Sequence, residues 1–331
     1  MLTLDKIAEV AKVSRSTVSR VINNDPNVSE KTRTRVQEVI RQLNFQPNRA
    51  ARSLAGGRTH VLGLVIPMGV SRLFTDPYFP ILIQSVSSTC NARDYSIMLW
   101  LAEPEYERKM ISQILYNGLM DGIIVSSMLL DDPLVKALIA GRLPFILVGR
   151  SPGDECACTV DVDNLDGARQ AVTHLLNNGR RRIATITGPQ TMIAGRDRLE
   201  GYLTALQKSA LTPGPEWIVD GDFTEAGGYN AARQLLPHRP DAIFAASDSM
   251  AFGALRALQE ANLRVPEDIA LVGFDDLPFA AHTNPPLTTV RQPIQNTGVL
   301  AVEALIDRIE NPDAEPRQAI LPTELVIRAS G

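Results

Sequence analysis

The feature that most constrains the fold is an alternation of short apolar runs with longer stretches of helical periodicity. It begins at Val61–Ile66, a near-continuous apolar run typical of a buried strand, and similar runs recur at Gly122–Ser126 and Ala242–Ala246. Stretches such as Asp166–Asn178 and Met250–Ala261 follow runs of this kind and place apolar residues on one helical face. Alternation of this kind is typical of βαβ units, so the sequence predicts an α/β fold built on parallel sheets.

The length of this region sets the number of sheets. The chain has 331 residues, which is too many for one compact core and predicts two or three domains. The alternating region is long enough for two parallel sheets, and one series of strands ends at Val160–Val162. We therefore expect a boundary between two α/β units near Asp163.

The first sixty residues have a different pattern, with apolar residues at helical spacing in three short stretches. Thr3, Ser14 and Ser29 are placed to cap the three predicted helices. The second helix lies within VSRSTVSRVIN, residues 13–23, and its polar side carries Ser16, Ser19, Arg20 and Asn23. Helices this short do not persist alone in water, so they must pack on one another. The pattern predicts a helix-turn-helix arrangement.

Charge is distributed unevenly along the chain. The net charge of the whole chain is −4, which does not suggest a nucleic-acid partner. Residues 1–60 nevertheless hold 11 Lys and Arg against 5 Asp and Glu, whereas the remaining residues hold 22 against 32. A basic head on an acidic body is expected when only the head meets phosphate groups.

Missing motifs argue against several enzyme classes. The chain has no G-x-G-x-x-G after a strand, no G-x-x-x-x-G-K-[ST], no G-x-S-x-G and no H-E-x-x-H. Its three cysteines are odd in number and lack the spacing of a zinc site, and its four histidines are well separated. We expect no catalytic residue, metal or cofactor. With no leader-like segment and no apolar run of about 18 residues, the chain is predicted to be cytoplasmic and free of the membrane.

Specific stretches of the chain resemble a known family. The head resembles the DNA-binding headpiece of the LacI/GalR family of bacterial transcription regulators, through TLDKIAEVAKVSRSTVSRVINNDPNVSEKTRTRVQEVIRQLNFQPNRAARSLAGG. The body is similar to the effector domain of that family along its whole length, through VLGLVIP, RDRLEGYLTAL, ASDSMAFGALRAL, RVPEDIALVGFDD and PPLTTVRQP. The head motif and the GFDD…PLTTVRQP pair are highly specific together.

The resemblance implies a domain organisation. A small all-α helix-turn-helix domain would span residues 1–46, a hinge helix and linker 47–60, and an effector-binding and dimerisation domain 61–331. That last domain would be a periplasmic-binding-protein-like core of two parallel-sheet subdomains with a cleft between them. The first subdomain would comprise about 61–163 and 293–321, and the second about 164–292 and 322–331.

The resemblance also implies which residues meet DNA. Arg15, Ser16 and Arg20 match family positions that touch base edges in the major groove. Residues 48–55 resemble the hinge helix, in which Leu54 would wedge between base steps of the minor groove. The full predicted set is Thr3, Ser14, Arg15, Ser16, Thr17, Ser19, Arg20, Asn23, Ser29, Thr32, Asn48, Arg49, Ala51, Arg52, Leu54 and Ala55. Two heads on a palindromic operator require at least a homodimer. A tetramer stays possible, although no leucine heptad follows Arg328.

In the body, the resemblance and the positions of polar residues after strands predict an effector site. Its residues are Tyr78, Phe79, Arg198, Phe223, Ser247, Asp248, Asp275 and Gln292. Asp248 has a structural alternative, since it could cap the helix that begins near Met250. Two departures from the family pattern affect the effector class. Gly149, followed by Arg150, stands where some members carry an acidic ligand, and Met192 replaces an arginine of the purine-responsive branch.

These observations predict a transcriptional regulator, in particular a repressor of sugar-utilisation genes controlled by a sugar or oligosaccharide in the cleft. A nucleoside- or purine-responsive repressor of the same family is the alternative within that class. Outside it, a sugar-binding transport protein and a sugar-converting enzyme are the competing hypotheses. The basic head and the lack of a leader-like segment argue against transport, and the lack of a catalytic constellation argues against an enzyme.

Overall fold

The structure is a computed structural model that describes residues 3–22, 25–45, 58–67, 70–100, 105–106, 109–111, 113, 118–126, 129–130, 132–150 and 157–331. The chain divides into two compact units, residues 1–59 and 60–331. None of the helices in these described ranges is both long enough and apolar enough to cross a membrane.

The smaller unit is helical. Its helices are α1 (Leu4–Ala11), α2 (Arg15–Ile22) and α3 (Glu30–Gln42). Apolar residues from all three helices form one core, with Ile7, Ala11, Val18, Val21 and Val36 almost fully buried. The turn between α1 and α2 begins at Lys12, whose φ is 50°. The short α2 is therefore held by packing, as the sequence predicts for a helix of this length.

The larger unit contains two six-stranded sheets. In chain order the strands are β1 (Val61–Val65), β2 (Ser96–Trp100), β3 (Gly122–Ser126), β4 (Phe145–Val148), β5 (Thr159–Val162), β6 (Ile183–Thr187), β7 (Ile218–Asp220), β8 (Ala242–Ala245), β9 (Ala270–Asp275), β10 (Thr288–Arg291), β11 (Gln318–Leu321) and β12 (Glu324–Val326). The first sheet has the order β11-β5-β4-β3-β1-β2 and is parallel throughout. The second has the order β12-β10-β9-β8-β6-β7, and only its edge strand β12 is antiparallel.

Helices cover both faces of each sheet. They are α4 (Val70–Thr75), α5 (Tyr78–Ala92), α6 (Pro133–Ala140), α7 (Asn164–Asn177), α8 (Ile193–Lys208), α9 (Glu225–Leu235), α10 (Asp248–Glu260) and α11 (Ile294–Glu310). Helices α5 and α11 pack on one face of the first sheet and α6 on the other. On the second sheet, α7 and α8 share one face, and α9 and α10 share the other. Short 3-10 turns lie at Pro215–Trp217, Leu236–His238 and Pro278–His282. This architecture confirms the predicted fold class.

The chain passes between the two sheets three times. It leaves the first sheet after β5 to form α7, returns after β10 to form α11, and crosses again between β11 and β12. The apolar alternation of the sequence does not predict β11 or β12, because both are short edge strands with mostly exposed or half-buried side chains. The crossings place the carboxyl ends of strands from both sheets around one cleft, where open α/β sheets bind ligands.

Candidate functional site

The cleft contains a cavity of about 110 Å³, lined by both apolar and polar side chains. Seven of the eight predicted effector residues lie around it, namely Tyr78, Phe79, Arg198, Phe223, Ser247, Asp275 and Gln292. Both sheets contribute to the wall: Tyr78 and Phe79 open helix α5 beside the first sheet, and Asp275 ends strand β9 of the second. Residues that lie far apart in sequence therefore converge because parallel strands present their carboxyl ends to the same cleft.

Arg198 is the centre of a buried hydrogen-bond network in this wall. Its Nε donates to Asn164 Oδ1 at 2.9 Å, and its Nη1 donates to the carbonyl oxygen of Ala246 at 2.6 Å. The same Nη1 lies 3.3 Å from Asp275 Oδ1, and Gln292 Nε2 donates to that carboxylate oxygen as well. Burial removes both charges from water, so each needs these partners to remain in the folded protein.

Aromatic rings complete the wall. The Phe223 ring centroid lies 5.5 Å from Arg198 Cζ, within the range of a cation–π contact. The rings of Tyr78 and Phe79 meet edge to face at 5.3 Å. A side chain at position 188 would displace the Phe223 ring, because a Cβ there would lie 2.0 Å from that ring. Flat apolar faces beside charged hydrogen-bonding groups form a surface suited to a polyhydroxylated ring.

Two buried carboxyl groups of the second subdomain, those of Asp275 and Asp248, have raised pKa values. Burial raises the pKa of Asp275 to about 7, although Arg198 opposes this shift. Burial and the nearby Asp275 charge raise the pKa of Asp248 well above its ordinary value. Burial also raises the pKa of the Tyr78 hydroxyl, with Asp275 adding to the effect. Because the two carboxyl groups are buried and repel each other when charged, they do not both ionise readily.

Asp248 itself lies outside the cavity, in contrast to the sequence prediction. Its carboxylate accepts hydrogen bonds from Thr289 Oγ1 at 2.5 Å and from the backbone N–H of Leu277 at 2.8 Å. The first residue of α10 is thus turned toward neighbouring strands and loops. The cap of that helix is Ser247, whose Oγ accepts from the N–H of Met250 at 3.2 Å. Asp248 therefore ties β9, β10 and α10 together instead of facing a ligand.

Sequence reasoning missed several polar residues of the site. They include Asn164, which accepts a hydrogen bond from Arg198, and the ion-paired group of Arg150, Asp161 and Asp197. Arg150 directly follows Gly149, where the chain departs from the family pattern, but the sequence assigns no role to Arg150. Asp161 lies inside the apolar run of β5, where it reads as a strand residue. These residues are recognised as part of the site only because the fold brings them together as ion pairs. Their spacing in the sequence does not predict that pairing.

The acidity of Asp275 predicts a pH dependence of stability. Between the ordinary value of 3.8 and the folded value of about 7, the folded chain holds a proton that the unfolded chain has released. The free energy of unfolding should therefore fall as pH rises through this window, by up to about 1.4 kcal/mol per pH unit, and level off above it. Urea unfolding from pH 5 to pH 8.5 measures this slope.

Asp275→Asn is the control for this prediction, because it keeps the shape and removes the titration. The difference between the two proteins isolates Asp275 from the histidines, which both retain. An identical pH slope in the two proteins would contradict the prediction.

Helix α2 of the head has one side exposed to solvent and the other packed in the core. Arg15, Ser16 and Arg20 are exposed on α2, while Val18 and Val21 face the core. The guanidinium groups of Arg15 and Arg20 have only loose acidic neighbours, at 3.8 Å from Asp5 and Asp25 respectively.

The structure describes some of the remaining residues that are predicted to contact DNA, but not all of them. Ser14 Oγ accepts from the N–H of Thr17 at 3.1 Å, and Thr3 Oγ1 accepts from the N–H of Lys6. Ser19 and Thr32 are half-buried, and exposed Ser29 shares a hydroxyl contact of 2.9 Å with Thr32. Seven others lie outside the described residues: Asn23, Asn48, Arg49, Ala51, Arg52, Leu54 and Ala55.

Comparison with known proteins identifies the family. Residues 3–48 match the model for bacterial regulatory proteins of the lacI family, and residues 172–331 match the periplasmic binding protein-like domain. The chain is 40% identical to the transcriptional regulator CelR of Thermobifida fusca, over 99% of this chain and 98% of that protein. The chain belongs to the LacI family.

Other LacI-family proteins agree along the full length. The ribose operon repressor of Escherichia coli (strain K12) is 36% identical over all of both chains. Among solved structures, a CelR–cellobiose complex matches with a TM-score of 0.80 and 38% identity over all of both chains. A lac repressor dimer bound to operator and an anti-inducer matches with a TM-score of 0.88 and 30% identity, over 99% of this chain and 98% of that one.

Family membership settles the broad function. Members of the LacI family are DNA-binding, non-enzymatic transcription regulators, so this chain is a transcriptional regulator and not an enzyme. Within the described ranges, no group of three or more His, Cys, Asp or Glu side chains could hold a metal ion.

Proposed function

We propose that this protein is a cytoplasmic repressor of sugar-utilisation genes that binds a palindromic operator as a homodimer and responds to a neutral sugar in the cleft. The observation that carries the choice of effector is the Arg198–Asp275 network with its aromatic neighbours. Relatives of known effector support the same class: CelR has been solved with cellobiose, and another relative is a ribose operon repressor. The homodimer is supported by the lac repressor dimer on its operator.

The pairing of the cavity arginines argues for an uncharged effector. Arg198 is bound to Asp275, and Arg150 lies 3.0 Å from Asp161 and 2.7 Å from Asp197. Recognition of a phosphate group uses arginine forks that are free to bind it bidentately. Both cavity arginines are instead committed to carboxylates. Sugar hydroxyls, which donate and accept, can join such a network without breaking an ion pair.

A nucleoside or purine effector is the alternative, and the position of Met192 weighs against it. Met192 is buried, lines the cavity and directly precedes α8 as its N-cap residue. A thioether is a weak acceptor and donates no hydrogen bond, so it cannot satisfy the ring nitrogens and carbonyl of a purine base. The resemblance to the purine-responsive branch places an arginine there.

For DNA binding we propose that Arg15, Ser16 and Arg20 read bases and that Thr17, Ser19, Ser29 and Thr32 serve phosphate contacts or the local fold. The hinge residues Asn48–Ala55 are proposed to enter the minor groove, with Leu54 as the wedge. Effector binding would change the closure of the cleft in residues 61–331 and so the affinity for operator. A coupling of roughly 1–3 kcal/mol corresponds to about a 5–150-fold change in that affinity.

Titration calorimetry with a panel of small molecules tests the effector class. The panel contains cellobiose, glucose, ribose, a phosphorylated hexose, hypoxanthine, guanine and adenosine. We expect binding by at least one neutral sugar, with no heat from the phosphorylated hexose. The sugar should be recovered unchanged after incubation. Binding of a nucleoside or base with no response to any sugar would reverse the proposal in favour of the purine-responsive alternative.

A further inference from the structure

Arg150 contacts carboxylates of both α/β subdomains. It follows β4 of the first sheet, and its Nη1 lies 3.0 Å from Oδ2 of Asp161, which belongs to β5 of the same sheet. Its Nη2 lies 2.7 Å from Oδ2 of Asp197, which lies on α8 beside the second sheet. One half of this guanidinium therefore stays within its own subdomain, and the other half spans the cleft.

A second contact crosses the cleft near the same place. Leu129 and Met192 form an isolated antiparallel bridge, and the N–H of Leu130 donates to the carbonyl oxygen of Thr191 at 2.7 Å. Leu129 and Leu130 lie beyond β3 of the first sheet, whereas Thr191 and Met192 directly precede α8. The start of α8 is thus held to the first subdomain twice, by backbone hydrogen bonding and by the Arg150–Asp197 pair.

The two carboxylates that pair with Arg150 are largely shielded from water. The side chains of Asp161 and Asp197 are only 7% and 12% exposed, while that of Arg150 is 40% exposed. Burial raises the pKa of both carboxyl groups, and Arg150 opposes that shift. When the cleft opens, Asp197 loses this counter-charge, but it also becomes accessible to water. The ion pair therefore exists in the closed form and is exchanged for hydration in the open form.

Arg198, by contrast, does not join the subdomains. Its partners Asn164, Ala246 and Asp275 all come from α7, β8 and β9, on the side of the second sheet. Both arginines line one cavity, but they have different mechanical consequences. Arg198 shapes one wall, whereas Arg150 connects the two walls.

We propose that Arg150 is a positioning residue for cleft closure: its ion pair with Asp197 stabilises the closed arrangement of the two subdomains and thereby sets the affinity for effector. The link to effector affinity rests on the proposed function, whereas the link to closure does not. A ligand that binds the closed form has an apparent affinity reduced in proportion to the closed fraction. Loss of the pair should raise the open-to-closed ratio by about tenfold, and effector affinity should fall in proportion to the closed fraction.

Closure can be measured without any effector by pulsed electron paramagnetic resonance. Spin labels are placed at Lys136→Cys on α6 and Gln207→Cys on α8, both exposed positions on different subdomains. Cys156 is replaced by Ser, and Cys90 and Cys158 are buried. Labelled protein is mixed with a roughly tenfold excess of unlabelled protein. Most labelled dimers then carry spin labels on one subunit only, so the measured distances are those within a subunit.

Arg150→Met and Asp197→Asn should each shift the distance distribution toward a longer, open population, and the double variant should match either single variant. Arg256→Met is the matched control, because Arg256 forms a 2.8 Å ion pair with Glu225 within the second subdomain and has similar exposure. It should keep the wild-type distribution. Thermal unfolding of every variant separates opening of the cleft from loss of folding.

Two results would overturn the proposal. One is a wild-type distance distribution in both Arg150→Met and Asp197→Asn. The other is an additive effect in the double variant, which would mean that the two residues act independently. If closure responds as expected but no sugar binds in calorimetry, the positioning role stands and the assignment of the effector fails.

Discussion

Asp275→Ala is expected to abolish the response to effector while operator binding persists. The substitution removes the carboxylate that Arg198 Nη1 and Gln292 Nε2 share in the cavity wall. It leaves the Arg198 guanidinium, whose side chain is 6% exposed, with a neutral amide and a carbonyl as its remaining partners. The effector loses a charged hydrogen-bond partner, which contributes about 1.5–3 kcal/mol, so its affinity should fall about 10–150-fold.

Calorimetry measures the affinity for effector. Fluorescence anisotropy measures operator binding with and without effector. Asp276→Asn is the matched control. Asp276 is the adjacent carboxylate, equally paired with arginines, through Arg291 at 2.8 Å and Arg328 at 2.6 Å, but it does not line the cavity. It should retain effector binding. Loss of both operator binding and effector response in Asp275→Ala would assign Asp275 a structural role.

The second large effect is expected at Arg20. Its guanidinium is 65% exposed on α2 and meets Asp25 only at 3.8 Å, so it is available to donate two hydrogen bonds to guanine O6 and N7. Arg20→Ala should cost about 1–3 kcal/mol on the selected operator and relax the preference at one base pair in each half-site. Binding to random DNA should weaken much less, because phosphate contacts supply most of that affinity.

Selection from a random duplex pool gives the operator for each protein and shows directly which positions lose their preference. Arg41→Ala removes the same charge from an exposed arginine of α3, which pairs with Glu38 at 3.1 Å. That variant should select the wild-type operator. An equal loss of affinity on operator and random DNA in Arg20→Ala would show that Arg20 binds phosphate and does not read a base.

The helical head shows how far periodicity alone can go. The apolar positions of α1, α2 and α3 were assigned from spacing, and the structure buries Ile7, Val18, Val21 and Val36 accordingly. Spacing works here because a short helix has one buried face and few alternatives. The same reasoning predicted β1, β3 and β8, whose runs are apolar because helices cover both sheet faces. It failed for β11 and β12, which lie at sheet edges and need no continuous apolar run.

The candidate site was partly accessible from the sequence. Residues such as Asp275 and Gln292 follow strands, and the rule that ligands meet strand ends places them near a cleft. The rule places a residue at the carboxyl ends of the strands, but it does not predict where the side chain of that residue points. Asp248 illustrates this limit: it follows β8 closely, yet its carboxylate binds Thr289 and the backbone of Leu277 away from the cavity.

The sequence by itself determined the alternation of strands and helices, the basic head on an acidic body, the family and some of the polar residues around the cleft. These properties follow from local periodicity, net charge and motifs, which are written along the chain. Only the tertiary structure decided that Arg150 joins Asp161 to Asp197 and that Arg198 stays within one wall. The physical reason is that the partners of a buried charge are chosen by three-dimensional proximity, and three crossings of the chain bring together residues that sequence spacing leaves unrelated.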